Sequence, residues 1–289
     1  MKIYLNEKKT SIASGVRVAD LVKRHKPGAD VCVLNGFPCL LEQPLAEGDK
    51  LVLIERGEVP TMAELEHLLA ARHTPGVHAK LKWACVGIAG CGGLGSNVAL
   101  ALARTGVGKL VLVDFDVVEP SNLNRQQYFS DQIGLPKVEA LKETIGKANP
   151  FVAVEARHQR VVPENVKSLF GKCQVIVEAF DRADQKEMLV EEVLARLPKK
   201  PLVVGNGMAG YGANNLMRTR RLGRLYICGD EATEAGPGTG LMAPRVGLAA
   251  CLQANQVLEI LLGPDPRIGH LIKERPGRRP QTRRQRARR

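Results

Sequence analysis

Three side chains in the middle of this 289-residue chain, Arg125, Lys137 and Asp181, are of the types needed to handle a nucleoside triphosphate. Transfer of a nucleotidyl group from ATP to a carboxylate needs little acid–base help, because the carboxylate is already ionised at neutral pH. The barrier is electrostatic, since an anion must approach an anionic α-phosphorus and expel pyrophosphate. Cations must neutralise the phosphates and a carboxylate must hold magnesium. Arg125 and Lys137 suit the first task and Asp181 the second.

These residues need a scaffold that brings distant segments together, and residues 84–114 supply its centre. An apolar run at 84–89 enters Gly90-Cys91-Gly92-Gly93-Leu94-Gly95, followed by a helical stretch carrying Val98, Leu100, Ala101, Leu102 and Ala103, and then a second apolar run ending in Asp114. This is the strand, glycine turn, helix, strand order of a βαβ nucleotide site. Gly90 permits the tight turn, Gly92 lets a phosphate approach the backbone, Gly93 lies in the same turn, and Gly95 lets the helix pack closely on the sheet. The helix N-terminus favours an anion. Asp114 stands where a carboxylate accepts hydrogen bonds from ribose hydroxyls. The same fingerprint fits NAD, so a nicotinamide-dependent oxidoreductase and a non-catalytic nucleotide-binding scaffold are alternative readings. The oxidoreductase leaves Arg125, Lys137 and Asp181 unexplained.

Further strands are expected at residues 152–156, 175–179 and 201–205, with helices at 137–149, 164–170, 184–197 and 244–262. The resulting fold class is α/β, a Rossmann-like doubly wound sheet with antiparallel edge strands drawn from residues 214–228. Asp116, Ser121, Asn122, Arg125 and Gln126 then gather past the end of the second strand, where doubly wound sheets bind ligands. Residues 1–59 form a separable unit in which a hairpin, a helix and two strands follow in β-grasp order. Thr61-Met62-Ala63-Glu64 is a capping box opening a linker helix to about Arg72, and residues 60–83 connect the two units. The nucleotide domain spans 84–264 and a basic tail spans 265–289.

The formal net charge of +12 is mostly this tail, because residues 275–289 hold eight arginines and no acid, leaving 34 basic against 30 acidic residues before them. A run with one alanine as its only apolar residue is expected to be disordered, and any contact with nucleic acid is expected only there, through phosphates. The seven cysteines are scattered without a Cys-x-x-Cys pair, which argues against a disulfide framework or a zinc site. No apolar stretch is long enough for a membrane span and the N-terminus lacks a secretory h-region, so a cytoplasmic location is expected.

The combination of GCGGLGS, the spacer ARTGVGKLVLVDFDVVEPSNLNRQ, LPK and a strand-ending FD resembles the ThiF/MoeB superfamily, related to the adenylation domains of ubiquitin-activating enzymes. That resemblance implies Asp114 for ribose, Asn122 and Arg125 for phosphates, Lys137 for the β/γ end and Asp181 for magnesium. It implies ATP and magnesium as ligands, and a homodimer in which an arginine crosses to the partner's site, with Arg72 as the best-placed residue. Arg182 and Lys186 depart from the asparagine and arginine usual in relatives, and the zinc-binding Cys-x-x-Cys pairs of many relatives are missing.

Residues 1–59 are similar to ThiS sulfur carriers in KIYLN, VADLVKRH, VCVLNG and EGDKLVLI, but they continue into Glu55-Arg56-Gly57-Glu58 without a terminal diglycine. The fused carrier-like domain points to the ThiF type, which adenylates the C-terminal glycine of ThiS for thiamine thiazole synthesis. Some ThiF proteins also use a cysteine after the adenylation core to form a persulfide link. Cys228 is the residue here that matches, with a buried inert thiol as the alternative reading.

Overall fold

The computed structural model describes residues 1–59, 61, 64 and 77–264. The linker helix, Arg72 and the arginine-rich tail lie outside the described residues. Thr61 and Glu64 make the reciprocal bonds of the capping box: the Thr61 amide donates to Glu64 Oε2 at 2.9 Å and the Glu64 amide to Thr61 Oγ1 at 3.3 Å.

The first unit contains β1 (Lys2–Leu5), β2 (Lys8–Ser11), α1 (Val18–His25), β3 (Val31–Leu34), β4 (Phe37–Pro38) and β5 (Lys50–Ile54). Its sheet order is β2-β1-β5-β3-β4, with β1 parallel to β5 and the remaining pairs antiparallel. Strand alternation and the apolar stripe of α1 converge, so that Ile3, Leu5, Val18, Leu21, Leu51 and Leu53 close one small core. This is a β-grasp fold.

The second unit runs α2 (Val77–Leu81), β6 (Cys85–Ala89), α3 (Gly93–Arg104), β7 (Lys109–Asp114), α4 (Lys137–Ala148), β8 (Ala153–His158), α5 (Val166–Phe170), β9 (Val175–Glu178), α6 (Ala183–Arg196), β10 (Leu202–Gly205), β11 (Arg218–Leu222), β12 (Leu225–Gly229) and α7 (Ala243–Leu262). The sheet order is β11-β12-β10-β9-β6-β7-β8. Six of these strands run parallel and β11 alone returns antiparallel at the edge beside β12. The expected antiparallel pair at the sheet edge is β11 with β12, and β12 joins the sheet parallel to β10. The lead-in to β6, read as plain connection, contains the short helix α2.

Both faces of this sheet are covered, which is why its strands are almost continuous apolar runs. Val86, Ile88, Leu110 and Leu112 pack against α3, α4 and α7, while Ala89, Val111, Val113 and Ile176 face α5 and α6. No described helix is long and apolar enough to cross a membrane. The strand order reverses direction between β6 and β9, creating the crevice at their carboxyl ends where open α/β sheets take ligands.

Close packing at that crevice depends on Gly95. A Cβ there would lie 1.8 Å from the carbonyl oxygen of Gly90. Gly95→Ala is therefore expected to lower the midpoint of urea unfolding sharply, by several kcal/mol in stability. Gly146, exposed inside α4 with nothing within 4 Å of its would-be Cβ, gives the opposite expectation, a gain of about 0.5–1 kcal/mol on replacement by alanine. Unfolding curves of the two variants check both signs.

Candidate nucleotide site

A cavity of about 520 Å³ opens at the carboxyl ends of the parallel strands. Its walls include Gly90, Gly92, Gly93, Asp114, Arg125, Lys137 and Asp181, so residues far apart in sequence share one space. Gly90 has a φ of +93° and its would-be Cβ would lie 2.8 Å from the Ala179 carbonyl, so no other residue fits that turn easily. For Gly92 the nearest atom to a Cβ would be Gln126 Nε2 at 3.9 Å, which leaves the loop open toward the cavity. The glycine turn then feeds α3, whose N-terminal amides carry the positive end of the helix dipole.

Asp114 fixes this turn. Its side chain is buried, yet one oxygen accepts the Cys91 amide at 2.6 Å and the other the Asp116 amide at 2.8 Å. Burial raises the Asp114 carboxyl above the ordinary range, while the two amide hydrogen bonds and Lys137 act in the opposite direction. On the other side, the buried Tyr128 hydroxyl donates to the Cys91 carbonyl at 2.6 Å. The turn is thus held by both polar groups of one residue.

The loop carrying Arg125 is stitched to α3. Ser96 Oγ donates to the Gly92 carbonyl at 2.7 Å and accepts the Gln127 amide at 3.1 Å, and Asn97 Nδ2 donates to the Arg125 carbonyl at 3.2 Å. Arg125 Nη1 donates to the Ser121 carbonyl and Asn124 Oδ1 at 3.2 and 2.9 Å, and the Cγ and Cδ of this half-buried residue run beside Gly93. Lys137 is 9% exposed in its side chain, and its ammonium lies 2.8 Å from Asp116 Oδ2. Gln126 lines the same wall and its Oε1 is buried without a partner among the described residues.

Asn122 does not line the cavity. Its Oδ1 accepts the Glu119 amide at 3.0 Å and its side chain closes the turn at 120–122, so it supports the Arg125 loop instead of facing a ligand. Cys228 is also placed away from the cavity. It is fully buried in the main core on β12, its Sγ 3.4 Å from Thr219 Oγ1, and burial pushes its thiol up to about 11. That environment matches the inert reading, because the thiolate is the reactive form.

Beyond Asp181, Arg182 and Lys186, the far wall includes residues that the sequence does not mark as a site. Glu178 is completely buried at the end of β9, with Lys186 Nζ at 2.9 and 3.0 Å from its oxygens and 3.0 Å from the Gly205 carbonyl. Burial raises the Glu178 carboxyl, and the Lys186 ammonium opposes that rise. Phe115 and Arg160 form a cation–π pair at the mouth, 4.2 Å from guanidinium carbon to ring centre. Residues 231–235 also line the cavity, although glycine and proline content marks 229–240 as a flexible link. Their anchor is Asp230, which accepts the Ala232 and Thr233 amides at 2.8 Å each and pairs with buried Arg245 of α7. Burial alone would raise the Asp230 carboxyl, but these hydrogen bonds together hold it well below the usual carboxylate range.

Fold and crevice together define a Rossmann-like α/β domain preceded in the chain by a β-grasp unit. The ThiF family matches residues 66–282 and a ThiS-like ubiquitin family matches residues 1–57. The chain belongs to the ThiF family. It is 31% identical over 187 residues to the molybdopterin-synthase adenylyltransferase of Salmonella typhimurium, covering 63% of this chain and 74% of that protein. It is 34% identical over 204 residues to the SAMP-activating enzyme E1 of Haloferax volcanii, covering 68% and 74%. Against the adenylyltransferase and sulfurtransferase MOCS3 of Culex quinquefasciatus it is 30% identical over 194 residues, covering 64% of this chain, and spans only 43% of that longer protein. The E. coli tRNA N6-threonylcarbamoyladenosine dehydratase TcdA, solved in complex with ATP, has the same fold. Its TM-score is 0.63 at 22% identity, over 75% of this chain and 100% of that one.

Replacing Asp230 by asparagine leaves Arg245 buried with an unmatched charge and is expected to cost about 3 kcal/mol or more in urea unfolding. A carboxyl whose folded pKa is depressed contributes stability that is present above its unfolded value, near pH ~4, and lost as the pH falls toward the folded value. The wild-type advantage over Asp230→Asn should therefore be intact at neutral pH and shrink only in strongly acid solution.

Proposed function

We propose that the chain catalyses ATP-dependent adenylylation of the C-terminal glycine carboxylate of a separate β-grasp carrier of the ThiS type. The observation that carries this reading is the convergence of the glycine turn, Asp114, Arg125, Lys137 and Asp181 on one cavity. Two relatives, the molybdopterin-synthase adenylyltransferase and the SAMP-activating enzyme, bear names consistent with it.

The α3 N-terminus and the open glycine turn suit the phosphates of ATP, and the lone pairs of Asp114 not used by amides suit the ribose. Gln126 Oε1, a buried acceptor without a partner among the described residues, fits a donor on a bound ligand. The carrier carboxylate attacks the α-phosphorus, forming an acyl–phosphate anhydride while the bond between the α-phosphorus and the bridging oxygen breaks. Pyrophosphate carries away the electron pair. Arg125 and Lys137 offset the charge that grows on that leaving group, and Lys137 exchanges Asp116 for phosphate oxygens as ATP enters.

No group of three or more metal-ligating side chains occurs among the described residues. Magnesium carried by a triphosphate takes most of its ligands from phosphate and water, so one protein carboxylate, Asp181, fits that mode of binding. When bound, the ion would screen the phosphates. The same reading includes a homodimer, with Arg72 completing the site from the second copy, and a role in making the thiazole of thiamine.

The test is magnesium-dependent ATP–pyrophosphate exchange in the presence of a diglycine-ended ThiS-type carrier. Arg125→Ala and Lys137→Ala should each lower exchange about a hundredfold or more, on the order of 3 kcal/mol in the barrier, with unfolding curves unchanged. Near-normal exchange in both variants would overturn the site assignment, and carrier-independent nucleotide binding without exchange would favour the scaffold reading.

A further inference from the structure

At the amino-terminal end of the central strands, opposite the cavity, two thiols face each other. Cys85 opens β6, Cys173 stands just before β9, and their Sγ atoms are 3.8 Å apart. The backbones beside them are locked together, because the Gln174 amide donates to the Cys85 carbonyl at 2.8 Å and Gln174 Oε1 accepts the Cys85 amide at 3.0 Å. Cys85 is half-buried, so small molecules can reach it, whereas Cys173 is fully buried against Phe170 and Gly87. A shielded thiol in contact with a reachable one has a single neighbour with which to react.

The surroundings favour a thiolate on the reachable member. The Cys173 hydrogen bond lowers the Cys85 thiol most, burial opposes this, and Lys109 and Lys200 outweigh Glu155 to leave it at about 7. Cys173 moves the other way and keeps its proton. Burial raises Cys32, Cys39, Cys91 and Cys228. Cys251 is exposed on α7.

We propose that Cys85 and Cys173 are a peroxide-reactive dithiol that closes to an intramolecular disulfide between β6 and β9. The Cys85 thiolate attacks one oxygen of hydrogen peroxide, the O–O bond breaks, and the departing hydroxide takes a proton to become water. Cys85 is then a sulfenic acid, oxidised by the two electrons that reduce the peroxide. Cys173 sulfur attacks Cys85 sulfur, the S–O bond breaks, and the oxygen leaves as water with the Cys173 proton. Two thiols and one peroxide thus become one disulfide and two waters. The strands joined are those whose opposite ends carry the glycine turn and Asp181.

The full-length reduced chain, with Cys251→Ser removing the exposed thiol, is treated with equimolar hydrogen peroxide and followed by intact mass and peptide mapping. The expected result is loss of two hydrogens, a linked Cys85–Cys173 peptide, and full recovery with a dithiol reductant. Cys173→Ser, which retains a donor to Cys85, should stop at a dimedone-reactive Cys85. In the reduced parent, Cys85 should also alkylate about fivefold faster than Cys39 at neutral pH, the higher thiolate fraction being partly offset by lower nucleophilicity. An unchanged mass, a disulfide between other cysteines, or oxidation of Cys85 no faster than that of Cys39 would overturn the proposal. The measurement on Cys85 and Cys39 does not depend on the folding of Cys173→Ser.

Discussion

The site rests on one carboxylate that holds a glycine turn open. Asp114 spends one oxygen on the Cys91 amide and the other on the Asp116 amide, so the end of β7 fixes both the turn after β6 and its own outgoing loop. A turn with glycine at Gly90, Gly92, Gly93 and Gly95 has much conformational entropy to lose, and unheld it would sample many shapes. Tyr128 secures the opposite polar group of Cys91, and Ser96 ties Gly92 to the loop that carries Arg125. Loss of the Asp114 anchor would therefore disturb the glycine turn and the loop carrying Arg125 together.

The charged side chains follow a common pattern of preorganisation. Lys137 is nearly buried and would be costly there without Asp116, while Arg125 rests on neutral acceptors that leave its charge available. The opposite wall uses a fully buried pair, Asp230 with Arg245, and a fully buried Glu178 paired with the partly exposed Lys186, to hold β9, β10 and residues 230–235 in place. Such pairs contribute little net stability compared with apolar packing, but breaking one leaves a buried charge. Their effect is to fix backbone position along that side of the cavity.

Much of the architecture was legible because its signals are local. The runs at 110–113, 175–177 and 202–205 are apolar throughout, as strands covered on both faces must be, and the glycine turn carries its strand, helix and acid in one stretch. The paired turns at Asn6-Glu7 and Asn35-Gly36, all with positive φ, were less legible, and the two-residue strand β4 went unread. Long-range partnerships left no local trace. Glycine and proline make 229–240 look like a flexible link, yet Asp230 finds Arg245 on a distant helix. Asn122 reads as a ligand residue beside Arg125, although its amide is spent on the turn, and the burial of Cys228 depends on strands and helices packed around it.

The most direct test of the central claim is the fate of the α-phosphate. With ATP labelled separately at the α and γ positions, magnesium and a diglycine-ended ThiS-type carrier, the account predicts that α-label alone becomes attached to the carrier and that hydroxylamine releases it as AMP. Transfer of γ-label to the carrier, or no α-label on a carrier that binds alongside ATP, would contradict it.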